Sequence, residues 1–171
     1  MPVTLKQIEA LLGEKNTPCT LLEERNKVVV ALISKVYENV NNQKAIIFVV
    51  EPEGEQVKIQ VPGAFYLEEV HLENFIGVLE ATLEVEKIDI IDLVYLRDTK
   101  ELHFSIKPAI IARLALTADI LLDLIYVLYG ILEEHYLVWK EATKGCTCEP
   151  ITLVSKEMIE ALLESMEKEE K

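Results

Sequence analysis

The segment from Ala115 to Leu132 constrains the fold more than any other part of the chain, because it is almost wholly apolar yet carries Asp119 and Asp123 within it. A carboxylate at the centre of a bilayer costs roughly 2.5 to 3.5 kcal/mol, so two of them argue for a helix buried in protein rather than in lipid. Thr117 supplies an N-cap and Gly145 a C-terminal stop, which predicts one helix over residues 118–144, roughly 40 Å long at 1.5 Å per residue. At 100° per residue Asp119, Asp123, Glu133, Glu134 and Glu141 share one narrow stripe, and the apolar residues from Ile120 to Trp139 cover an arc of roughly 220°. The acidic stripe reads as a solvated face. A surface helix needs an apolar stripe of only about 100°, so one sheet cannot cover this one and a second helix or a second subunit must contribute.

Within that arc Leu121, Leu128, Leu132 and Trp139 lie near one line, with Tyr136 beside it. These five are the expected interface of a homodimer, in which a two-fold related copy sets the same residues against each other. Tyr126 and Tyr129 add two more of the large amphipathic rings that dominate contact surfaces. The competing cover is internal: after the break at Pro150, Ser155 caps a helix through Met158, Ile159, Leu162 and Leu163 that could fold back over the same line. The chain ends in the charged run Glu167 to Lys171.

Upstream, the periodicities predict an α+β domain. Thr4 and Gln7 have capping-box spacing ahead of Leu5, Ile8, Leu11 and Leu12, with Gly13 as the stop. Residues 27–37, led by the β-branched Val28, Val29 and Val30, predict a first strand, and Asn41 and Asn42 a turn. Ala45 to Val50 is a second strand; Glu53 and Gly54 turn the chain, and Val57, Ile59 and Val61 form a third that Pro62 and Gly63 stop. Leu72, Phe75, Ile76, Leu79 and Leu83 place a helix over residues 70–86. Ile88 to Leu96 and Leu102 to Ile106 then flank a polar hairpin connection. The expectation is one antiparallel five-stranded sheet with helices packed on one face, in the order α-β-β-β-α-β-β-α plus a C-terminal helix. Residues 1–145 form the domain and 146–171 a loop and helical appendage.

The 30 acidic and 17 basic residues give a net charge of −13, which repels nucleic acid and anionic lipid. Neither a secretory leader nor a disulfide framework is indicated, since the start reads as an amphipathic helix and Cys19, Cys146 and Cys148 are an odd three. A cytoplasmic location with reduced thiols is expected.

Few residues invite chemistry. Cys146 and Cys148 lack the two-residue gap of structural zinc pairs, so no metal or cofactor is expected there. Asp119 and Asp123 sit one helical turn apart, but the glutamates that extend their stripe mark a solvated face rather than a cation site. His135 falls within the apolar arc as a buried or interface histidine, and His71 and His103 have no Ser, Cys or Asp partner at a recognisable motif spacing. Gly54, Gly63, Gly77, Gly130 and Gly145 are isolated, and no phosphate-cradling loop, HExxH or GxSxG pattern occurs.

The strand-turn-strand AIIFVVEPEGEQVKIQVPG leading into a helix, and the hairpin IDLVYLRDTKELHFSIKP leading into the long helix, resemble the YbjN-like family and, at the level of fold, the type III secretion chaperones. The resemblance covers about residues 4–145. It implies a chaperone-like or regulatory protein-binding module, homodimeric, without catalytic residues to carry over, and a partner that is the chain itself and another protein segment. The alternative from the residues is a small enzyme or small-ligand sensor with a pocket between the sheet and the long helix.

Overall fold

A computed structural model describes residues 2–39, 42–144 and 161–164. The chain runs α1 (Leu5–Glu14), β1 (Thr20–Leu22), β2 (Lys27–Ile33), β3 (Ala45–Glu53), β4 (Gln56–Tyr66), α2 (Glu69–Val85), β5 (Ile91–Leu96), β6 (Glu101–Ile106), a short α3 (Pro108–Ile111) and α4 (Ala118–Ala142). The α+β class and the antiparallel sheet hold, but the sheet has six strands, in the order β1-β2-β3-β4-β6-β5, where five were expected. The sixth is β1. Three residues pairing Thr20 with Val29 and Leu22 with Lys27 are too short to show a period, and their place in the sheet comes from pairing with β2 and from the packing of Leu21 and Leu22 on its two faces.

The local signals that carry helix ends are realised. Thr4 accepts the Gln7 backbone N–H while the Gln7 side chain accepts that of Thr4, a complete capping box, and Thr117 accepts the backbone N–H of Ile120 at the start of α4. Gly13 lies inside α1, whose C-cap is Lys15. Pro62 and Gly63 do not stop β4. The strand runs on to Tyr66 through a register shift between Val61 and Phe65, and Gly63 takes the left-handed φ of +57° that this bulge requires.

Alternation divides the sheet into two faces. Val28, Val30, Ile46, Phe48, Val50, Ile59 and Phe104 point inward and form one core with α1, α2 and α4. Val29, Ala31, Ala45, Ile47 and Val49 point outward and pack with Leu162, while Leu22 and Leu163 border them. The described part of the C-terminal helix therefore meets the sheet, on the face opposite α4. Gly145, Pro150, Ser155, Met158, Ile159 and the tail Glu167 to Lys171 lie outside the described residues.

Candidate functional site

Every residue of the expected dimer line is interior in the single chain. Leu121, Leu128, Leu132, Tyr136 and Trp139 are all buried in the core. The reason is that α4 lies between α1 and α2 and also contacts β6, so helices and sheet together cover its wide arc. Aromatic rings fill the space: the Phe65 ring lies 5.1 Å from Phe75, 5.8 Å from Phe104, 6.0 Å from Tyr136 and 6.4 Å from Trp139. A pocket between sheet and long helix would have to form where these side chains already pack. His135 is buried beside Trp139, ring to ring at 5.3 Å.

One flank of α4 fastens the connection between β2 and β3. The Tyr129 hydroxyl donates to the Ile33 carbonyl at 2.9 Å and the Tyr136 hydroxyl to the Glu38 carbonyl at 3.2 Å. Between them Glu133 accepts from the Ser34 hydroxyl and, at 2.9 Å, from the Lys35 backbone N–H. Glu133 is thus a half-buried anchor and not part of the solvated stripe.

What α4 leaves outside is a mixed surface. Tyr126 is 51% exposed, Val127 43%, Leu137 62% and Val138 58%. Asp119, Asp123, Glu134 and Glu141 are exposed along the same side, with Gly130 midway. Asp119 pairs with Lys15 at 2.6 Å and Glu141 with Lys144 at 2.8 Å, exposed pairs at the two ends that contribute little to stability. Nearer the middle, Asp123 and Glu134 have no lysine or arginine within ion-pair distance among the described residues.

The second feature lies on the outer face of the sheet, where β4 bulges against β6. Glu101 has no exposed surface. Its carboxylate accepts the Tyr66 hydroxyl at 3.0 Å and the Thr99 hydroxyl at 2.8 Å, and His103 Nε2 lies 3.3 Å away. Glu101 and His103 meet because residues two apart on a strand share a face. That signal was present in the sequence, and a search for histidine partners by motif spacing passes over it. Burial pushes the His103 imidazole below its ordinary value; Glu101 pulls it up, and Lys58 and Lys27 push it further down. A Cβ on Gly63 would lie 2.9 Å from Tyr66 Cζ and closer still to its hydroxyl oxygen, so the glycine makes room for this network as well as for the turn.

The remaining candidates are dispersed. Cys19 is half-buried, and burial, aided by Glu9, pushes its thiol up, away from the reactive thiolate. Cys146 and Cys148 lie outside the described residues. Among the described residues no group of three or more His, Cys, Asp or Glu side chains is placed to hold a metal ion, and no helix is long and apolar enough to cross a membrane. Comparison with protein-family models, curated proteins and solved structures finds no match.

Proposed function

We propose that the chain is a non-enzymatic protein-binding module, chaperone-like or regulatory in use, whose contact surface is the outer face of α4. The observation that carries this reading is the exposure of Tyr126, Val127, Leu137 and Val138 on a helix whose opposite side is already saturated by the core. Single exposed apolar residues are ordinary, and two pairs of large ones on one side of one helix are a reason to look for a contact surface there. The acidic surroundings direct the reading to protein rather than nucleic acid. Selection of an unbiased displayed peptide library on the full chain tests it. Peptides that lose binding to the Leu137→Ser, Val138→Ser double variant support the reading; an empty selection, or binders indifferent to that variant, sinks it.

A second reading, a small enzyme or ligand sensor, rests on the buried Glu101 carboxylate and its contact with His103. A carboxylate that orients an imidazole is the arrangement used in general base catalysis. A thermal-shift screen of small molecules separates the two readings: a stabilising compound whose effect disappears in His103→Gln favours the sensor, and no such compound favours the binding module.

A further inference from the structure

We infer that the C-terminal helix is a displaceable cover, and that the outer face of β2 and β3 beneath it is a docking strip for a leucine-bearing amphipathic helix of another protein. The strip lies across the sheet from α4, so the inference concerns a surface separate from the one proposed above.

The helix already seated there shows the chemistry that fits. Val29, Ala31, Ala45, Ile47 and Val49 form an apolar floor, and Leu162 is buried against it with Leu163 half-buried alongside. Ala161 and Glu164, on either side of the two leucines, are exposed. The described turn thus turns leucine toward the strands and a carboxylate toward solvent, the division of an amphipathic helix lying in a groove.

The way this helix is held makes it exchangeable. Among the described residues no hydrogen bond or ion pair joins residues 161–164 to the sheet. On the other face α4 is tied to the β2–β3 connection by directional bonds from Tyr129 and Tyr136 and to Glu133. Contact by apolar burial alone is non-directional, so another helix that presents leucine in the same way can replace it. The floor also shares no residue with the main core, and lifting the cover leaves the packing of α1, α2 and α4 in place. One end of the strip is open: Ile33 follows Val29 and Ala31 in the outward row, pairs with Ala45 and is 44% exposed. An incoming helix has that end to land on before the cover leaves.

Two measurements on the full chain test this. In native-state hydrogen exchange the amides of residues 161–164 are expected to open at least about tenfold more readily than those of β3. Equal protection, lost together as denaturant is added, would show that cover and sheet open as one unit and overturns the inference. Fluorescence anisotropy then uses a labelled synthetic peptide with the sequence of residues 155–167, standing in for the partner's helix. A chain carrying Leu162→Ser and Leu163→Ser, its own cover loosened, should bind this probe about tenfold tighter than the parent, whose strip is occupied. Adding Ile33→Ser should weaken that binding about threefold, and adding Leu137→Ser, Val138→Ser on α4 should not change it. Equal binding by parent and loosened chain, no binding by either, or loss of cooperative unfolding in the loosened chain each overturns the inference. Binding abolished by the α4 substitutions overturns it in favour of the α4 surface. A dimer of the parent by light scattering that the two serines dissolve overturns it in favour of a second copy, its helix seated in trans.

Discussion

The two faces of the sheet are built on different terms. Toward the helices every strand from β2 to β6 contributes aliphatic or aromatic side chains, and Phe48, Phe104, Ile59 and Ile46 are among the largest fully buried groups in the chain. Away from the helices the composition changes across the sheet. Small aliphatics cover β2 and β3 under Leu162, while β4 and β6 carry Gln60, Glu101, His103 and Ser105, all buried and polar. On the inner face any apolar side chain of suitable size is tolerated, because packing is non-directional. On the outer face Glu101 needs its donors at fixed positions, and a slip of one residue in β6 would exchange His103 for Phe104. Volume specifies the inner face, and hydrogen-bond geometry specifies the β4–β6 half of the outer one.

The largest expected effect tests the inner face. Phe104→Ala removes a fully buried ring that touches Phe65 and Trp139, and should cost about 3 to 5 kcal/mol in denaturant unfolding. A loss below about 1 kcal/mol would mean that the core is loosely packed there and the contrast between the faces is false.

The outer face should answer to backbone geometry. Gly63→Ala forces an L-residue into positive φ and drives a methyl group toward Tyr66, at an expected cost of about 1 to 3 kcal/mol. Tyr66→Phe in the same background relieves part of the contact by removing the hydroxyl. If Gly63→Ala proves neutral in both backgrounds, the bulge is not what holds the polar network.

The smallest effect sharpens the comparison by pH. Because the folded state holds His103 below its unfolded value, it prefers the neutral ring. The associated stability is complete above the unfolded pKa of about 6.5 and is lost as pH falls from there toward the lowered folded value, by at most about 1.4 kcal/mol per pH unit. Unfolding of the parent and of His103→Gln between pH 7.5 and about 5 should converge or diverge with that slope. Parallel curves would show that His103 titrates alike folded and unfolded.

The elements legible in the sequence are those whose cause is local. Thr4 with Gln7 and Thr117 announce helix starts because the cap bonds to residues two or three positions on, and the periods of α2 and α4 need only their own residues. What failed was non-local. β1 depends on the edge that β2 offers and on the clusters that receive Leu21 and Leu22, and Pro62-Gly63 reads as a stop until Leu102 and Glu101 are there to pair with Phe65 and Tyr66. For α4 the period shows which residues share a side but not what covers it, so Leu121, Leu128 and Leu132 are as suited to a subunit interface as to a core. The outer face was harder still, since Tyr126, Val127, Leu137 and Val138 are interleaved with the acids and the charges alone suggested a purely solvated stripe.

The bulge in β4 also bears on how the chain reaches its fold. The β2–β3–β4 meander closes through neighbouring segments, with Gly54 and Glu55 as its tightest link, and β5 and β6 close through residues 97–100. These are two locally paired units. They join only along β4 and β6, with α2 and the whole of β5 between them in the chain, so this seam carries the loop-closure entropy of the sheet. The register shift lies on that seam, and β6 must therefore find two offsets on one partner strand, one beside Val61 and another beside Phe65. Within the sheet, the pairing with the longest sequence separation therefore coincides with a single glycine-centred irregularity.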